Sequence, residues 1–467
     1  MFKLSDVWAI PLKNIYLDVT TQDKIETADC EQYPDIGRGN LRSLHEFRLS
    51  IITQFYPPDY AATGQLIQEL ATQLRASNIE VSVFTGQPAY AFSQENAPAV
   101  ETVKGVTVKR SRTSRLWSGR ITGKAVNGVI FCLRTALHIL RHRKQNDVLL
   151  ITTAPPFLAV VGYLANLICG VSYVCLVYDL YPDVATEFGL IGENHPIAKF
   201  WNWVNGKVWR RAKSIIVLSD TMKNRITAKH PEVDSKIVII HNWADASWIK
   251  PLAKKQNWFA CEHGIDGKFT VLYLGNLGRC HDVDTIIDTI KLLKDEPIQF
   301  VFIGAGAKQE ICRQTVTQLG LDNCTFLPYQ DRKNLPYSLT ACDLSLVSIA
   351  PGMEGIVAPS KLYGVMAAGK AIAAICEPHS YLRELLADAG CGGCFNNEDS
   401  HSLANFIRHL AINPHLAVDM GLSGRQYLEN NFTPQIIAQQ YSQVLKPAVK
   451  SQRSEVRGQK SGVRGQG

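Results

Sequence analysis

Short apolar runs recur along most of the chain, each followed by a stretch whose apolar positions fall at helical spacing. RLSIITQFY (48–56), EVSVFTG (80–86), DVLLITT (147–153), SYVCLVYD (172–179), SIIVLS (214–219) and KIVIIHN (236–242) make a first series. After a polar stretch the rhythm restarts with FTVLYLGN (269–276), IQFVFIGAG (298–306), CTFLPY (324–329), DLSLVSI (343–349) and KAIAAIC (370–376). Strands this short and apolar are buried on both faces, and their alternation with helices predicts parallel sheets wrapped by helices. The expected fold class is α/β, with two doubly wound, Rossmann-like domains at 47–242 and 258–432. A linker at 243–257 joins them, they face a central cleft, and a helix at 433–446 follows. Ligands of such sheets bind beyond the carboxyl ends of the strands, so the cleft is the default site.

Three stretches depart from this rhythm. Residues 1–46 are polar and irregular and read as a poorly ordered extension. Residues 447–467 repeat VRGQ (456–459 and 463–466) and read as a disordered basic tail. Phe157–Tyr178 carries no charge and is long enough to span a bilayer. Gly170 divides it, and the β-branched, aromatic SYVCLVY suits a buried strand, so helix-turn-strand is expected.

Composition changes the picture little. The 467 residues are 46% hydrophobic and 19% charged, as in an ordinary globular protein. The net charge is +7, and the stretch from Lys446 onward supplies most of it, with six basic residues against Glu455. The body is near neutral, which does not fit a nucleic-acid partner. Twelve scattered cysteines lie mostly in apolar runs and read as reduced thiols of a cytoplasmic protein. Cys391-Gly-Gly-Cys394 reads as a glycine-rich turn after a helix.

The candidate chemistry sits in loops after strands. Gly64 opens a helix after Pro57-Pro58, where backbone N–H groups can meet a phosphate or a tight turn can simply need glycine. Gly275 and Gly278 leave room for a ligand, Arg279 supplies a permanent cation, and Gly304-Ala-Gly306 repeats the glycine turn. Asp282-Val-Asp284 has the form of a metal-binding pair but also opens a helix as a cap would. In MEGIVAPSKLYGVMAAGK (353–370), Pro359-Ser360 starts a helix and Lys361 puts a full charge on its positive end, an arrangement suited to a diphosphate. Glu354, next to Gly355, can accept sugar hydroxyls or pair with Lys361 on the surface. Gly364 costs helix stability and suggests close approach of a ligand or a strand. Glu377 points toward the cleft or starts the next helix. IAKFWNWVNGKVWRRAK (197–213) places three tryptophans among basic residues, as a helix on an anionic membrane or one with a face in the core would.

The segments FYPPDYAATG, YDLYPD, VLSDTMK, IHNWAD, LYLGNLGRCHD, FIGAGA, APSKLYGVMAAGK and NFTPQ together resemble the glycosyltransferases of family 4, which have the GT-B fold. The resemblance is greatest to the bacterial WbuB-type and colanic-acid-type transferases of surface polysaccharide. It implies a UDP- or GDP-sugar donor on the C-terminal domain and a glycan acceptor, often lipid-linked, on the N-terminal one. It also implies retention of anomeric configuration, with no cofactor and no bound metal; the expected location is the cytoplasm, with peripheral contact to the cytoplasmic face of the membrane through 197–213 as a separate reading. Asp179 occupies a position that orients the acceptor in the family. Two glutamates in an E-x7-E pattern are usual there, and this chain has Gly364 at the second position and Glu354 two residues early. Asn276 and His281 stand where an Arg and a Lys are usual. Phosphate binding is therefore expected to rest on Arg279 and Lys361. A nucleotide-sugar epimerase of the same fold, or a non-catalytic sugar-nucleotide-binding scaffold, is the alternative.

Overall fold

Each apolar run forms a strand, because a short run of β-branched residues buries both of its sides only inside a sheet. The computed structural model describes residues 46–59, 61–88, 97–112 and 121–462, with backbone alone for 121–125 and 449–462. The predicted extension up to residue 45, and residues 463–467 of the predicted tail, lie outside the described residues. In the first half, β1 (Arg48–Ile52), β2 (Glu80–Thr85), β3 (Val100–Val103), β4 (Val106–Arg110), β5 (Val148–Thr152), β6 (Ser172–Leu176), β7 (Ser214–Val217) and β8 (Ile237–Ile239) form one sheet. Its order is β3-β4-β2-β1-β5-β6-β7-β8, and only β3 runs antiparallel to its neighbour. In the second half, β9 (Phe269–Leu274), β10 (Ile298–Ile303), β11 (Cys324–Leu327), β12 (Leu344–Ser348), β13 (Ala371–Ile375) and β14 (Gly392–Phe395) are parallel throughout, in the order β11-β10-β9-β12-β13-β14.

Two features of the sheets were not foreseen. The β3–β4 hairpin turns at Lys104 and Gly105, both with positive φ (49° and 78°), as a two-residue hairpin turn requires. The CGGC segment is not a turn: β14 runs through it. A Cβ on Gly392 would run into the Ile372 carbonyl, so glycine is what lets this edge strand approach its neighbour. Phe157–Tyr178 divides as expected into helix Leu158–Cys169, Gly170 at φ 69°, and β6. Among the described residues no helix is long and apolar enough to cross a membrane.

The chain closes on itself. Helix Pro434–Gly462 packs against helix Ala62–Ala76 and against β5 and β6, so the C-terminus returns to the first sheet. It does not stop at 446: the backbone is helical through Gly462 with Pro447 inside it, where the sequence suggested a disordered tail from 447. The crossing at 243–257 is held by Arg425, which donates to the carbonyls of Ala246 (2.9 Å) and Ile249 (2.8 Å). One apolar cluster runs from the first sheet through Ile240, Trp243 and Ile249 to Val347, Ile372 and Ala374 of the second. Core packing therefore fixes the two walls of the cleft relative to each other.

Candidate active site

The C-terminal wall is built from loops that only glycine allows. Gly304 (φ 142°) and Gly306 (φ 148°) lie against the backbone of Gly275 and Leu277 with no room for a Cβ. Gly304 was expected among the donor-binding residues; it and Gly306 pack the loop after β10 onto the loop after β9. Gly275 (φ 114°) is different: a Cβ there would meet only Lys361 Cε, at 3.9 Å. Gly278 is crowded by Asn276 Nδ2, and the Asn276 side chain is exposed.

Lys361 stands beside that opening. Its Nζ is buried, has no hydrogen-bond partner among the described residues, and lies 3.7 Å from the centre of the Tyr273 ring. Enclosure pulls its pKa down to about 7. Ser360, expected to cap the helix Lys361–Ala367, makes no side-chain cap bond, and Pro359 before it is buried. Arg279 is half-buried and forms no ion pair among the described residues. His281 sits near Lys361, but its Nδ1 donates to the Ser348 carbonyl at 2.8 Å. Enclosure, and then the Lys361 charge, lower its pKa to about 3, so it is neutral and supplies no cation.

Glu354 is 2% exposed, which removes the surface-pair reading. Thr221 Oγ1 of the N-terminal domain donates to its Oε1 at 2.8 Å, while Oε2 is buried without a hydrogen-bond partner among the described residues. Arg225 Nη1 donates to the carbonyls of Glu354 (2.8 Å) and Gly352 (3.2 Å). Gly355 (φ 73°) leaves no room for a Cβ beside the Thr221 carbonyl, 2.6 Å away. Glu377 accepts the Gly352 N–H at 3.2 Å and so braces this loop. Thr221 and Arg225 are the residues that sequence reasoning missed. The signal available was Ser219 in VLSDTMK, which caps helix Asp220–Lys229 by accepting from the Met222 N–H.

The N-terminal wall carries Asp179 just after β6. Water reaches its side chain from the cleft, while Tyr178 and Tyr181 stand close on either side in the chain. Desolvation pushes its pKa up to about 6. Its charge also acts on the Cys280 thiol across the cleft, so Asp179 faces the Arg279–Cys280 loop. Asp183, by contrast, is buried in ion pairs with Lys229 (2.7 Å) and Arg225 (3.2 Å). Gly64 lies in the first turn of helix Ala62–Ala76, whose start carries no side-chain cap. The Gly64 N–H donates to Ala61 O, and a Cβ would lie 3.0 Å from Tyr56 N, so the helix needs glycine to pass under that backbone. Asp282 acts as a cap: it accepts from the Thr285 N–H (3.0 Å) and hydroxyl (2.7 Å) and from Asn397 (2.7 Å). Gly364 has room for a Cβ, with Leu339 Cδ1 at 3.5 Å, so no neighbouring strand demands glycine there.

Comparison with known proteins fits this geometry. A glycosyl transferase 4-like domain matches residues 62–243, and the family model of glycosyl transferases group 1 matches 255–427. The protein named "Probable glycosyltransferase WbjE" of Pseudomonas aeruginosa is 25% identical over 334 residues, covering 70% of this chain and 81% of its own. Sucrose-phosphate synthase of Thermosynechococcus elongatus superposes with a TM-score of 0.70 at 17% identity, over 87% of this chain and all of that one. Anabaena Alr3699/HepE, solved with UDP and glucose, superposes at 0.64 and 17% identity, over 85% of this chain and 99% of its own.

Proposed function

The chain belongs to the glycosyltransferases of the GT-B fold, and from that premise we propose that it moves a sugar from a UDP- or GDP-sugar to a hydroxyl of a lipid-linked glycan. The product is a surface polysaccharide built at the cytoplasmic face of the membrane. The name of the Pseudomonas relative and the UDP-bound Anabaena structure support this class of donor and reaction. The observation that carries the reading is the Lys361 ammonium group, buried beside the open Gly275 with no hydrogen-bond partner among the described residues. Leaving an amine in such a place costs several kcal/mol unless an anion arrives to pair with it. A donor diphosphate is that anion, and its charge grows as the bond to the sugar breaks.

In this reading Lys361 and Arg279 hold the departing diphosphate, and each well-placed donor lowers the barrier by about 3 kcal/mol. These cations belong to the chain, so no divalent ion is required. Glu354 Oε2, the free oxygen of a fixed carboxylate, accepts from a donor-sugar hydroxyl. Asp179 orients the acceptor hydroxyl from the opposite wall, and transfer retains the anomeric configuration. A thermal-shift panel of UDP-, GDP- and ADP-sugars tests this, with and without EDTA. A cognate donor at 100 times its Kd stabilises by about 2.7 kcal/mol, and EDTA leaves that unchanged. Stabilisation by no nucleotide sugar, or only with a divalent ion, contradicts the proposal.

A further inference from the structure

Three neighbouring helices of the N-terminal domain carry no Asp or Glu: Ile121–His142, Leu158–Cys169 and Pro196–Arg211, of 22, 12 and 16 residues. The middle one packs against both others. Right-handed crossovers place all three on the face of the first sheet opposite helix Ala62–Ala76. Their outward sides are apolar. Helix Leu158–Cys169 buries Leu158, Val161 and Ala165, yet also exposes Leu164, Leu167 and Ile168, the last at 68%. On one side Val129, Leu133, Leu137 and Leu140 form an exposed stripe at helical spacing. On the other, Ile197, Phe200 and Trp203 stand out at 54%, 64% and 57%, while Trp209 turns into the core. A helix that is apolar all round is normally covered all round, and a contiguous exposed apolar surface marks a docking site.

The charges carried by the three helices have one sign, and Arg210 meets Glu232 from outside them. Arg141, Lys199 and Lys207 are exposed and form no ion pair among the described residues; Lys207 lies 5.5 Å over the Trp203 ring. Arg141 also lines a cavity of about 260 Å³ together with Arg112, Arg134 and Ser111, at the edge of the Leu133–Leu140 stripe. A second copy of the chain is a poor occupant. A two-fold contact sets the same patch against itself and would press cation on cation. An anionic bilayer complements both features, taking apolar side chains at the acyl boundary and cations at the phosphate level.

We propose that this three-helix face docks the N-terminal domain side-on against a membrane rich in anionic phospholipid. The inference does not depend on the identity of the sugar donor. It is tested by co-sedimenting the full chain with phosphatidylcholine vesicles, with and without phosphatidylglycerol. Binding is expected on the anionic vesicles at low salt, about tenfold weaker on phosphatidylcholine alone, and falling as salt screens the charges. A triple variant, Ile168→Ser, Phe200→Ser and Trp203→Ser, changes only exposed side chains. It is expected to lose at least about tenfold in vesicle binding with its melting temperature and nucleotide-sugar response intact. A parallel variant, Arg141→Glu with Lys199→Glu and Lys207→Glu, should abolish the preference for phosphatidylglycerol. The proposal is overturned if the wild type stays in solution with anionic vesicles at low salt, or if the triple variant sediments as the wild type does. It is also overturned if the apolar face proves to be a dimer contact, with concentration-dependent association that the triple variant removes.

Discussion

The C-terminal wall of the cleft holds a cation away from water, against the Tyr273 ring and with no hydrogen-bond partner among the described residues, whereas the N-terminal wall holds a carboxylate where water still reaches it. Lys361 is enclosed by Tyr273 and the loop after β9, and its pKa falls to about 7. Asp179 keeps an exposed side chain, and desolvation raises its pKa to about 6. Both shifts come from desolvation, but the two groups stand to it differently. The lysine is placed where only a ligand can satisfy it, which is the mark of a binding group for an anion. The aspartate is placed where a hydroxyl can displace water, which suits a group that must meet a second substrate and release it.

This contrast can be broken at either wall. The largest effect is expected from Lys361→Met, which should weaken donor binding about 100-fold in calorimetry, since it removes a desolvated charge-assisted contact. The same variant should be no less stable than the wild type, and by about 1 kcal/mol more so, because no buried amine remains. Its pH dependence follows. A lysine whose folded-state pKa is depressed to about 7 binds fewer protons than in the unfolded chain up to its usual value of 10.5. Wild-type stability therefore rises with pH across that window, and the Met variant should lose that rise.

Asp179→Asn should lower kcat/KM for the acceptor about 10–100-fold, the worth of a hydrogen bond to a charged group, while leaving donor Kd within about twofold. Titration sharpens the contrast without mutation. Donor Kd should weaken by up to about tenfold per pH unit above 7, as Lys361 must take up a proton to bind. Acceptor turnover should instead rise as pH passes through about 6 and Asp179 ionises. The smallest effect expected is from Gly364→Ala. It should raise stability by about 0.5–1 kcal/mol in a thermal melt, since a Cβ fits against Leu339 and alanine suits a helix better. A loss of donor affinity in that variant would mean that the ligand, not the fold, needs the glycine.

The sheets were legible because a short apolar strand between helices has few other ways to bury itself. β14 was hidden because its glycines look like a turn, although glycine is what its approach to β13 requires. The β3–β4 hairpin was hidden in VETVKGVTVKR, whose turn uses Lys104 at positive φ where asparagine or glycine would have announced it. At the site, Lys361, Glu354, Arg279 and Asp179 could be named from the chain. Their environments could not, because partners such as Thr221 and Glu354 lie more than a hundred residues apart and meet only across the cleft. The glycines divided in the same way: Gly275 faces open space, while Gly64, Gly304 and Gly306 are where one backbone passes another.

The central claim is that the unpaired Lys361 ammonium is the seat of the donor diphosphate. A crystal structure with a bound UDP- or GDP-sugar tests it most directly. The account predicts a diphosphate oxygen within about 3 Å of Lys361 Nζ, above Gly275. A nucleotide bound with its phosphates elsewhere, and Lys361 still unpaired beneath Tyr273, would contradict it.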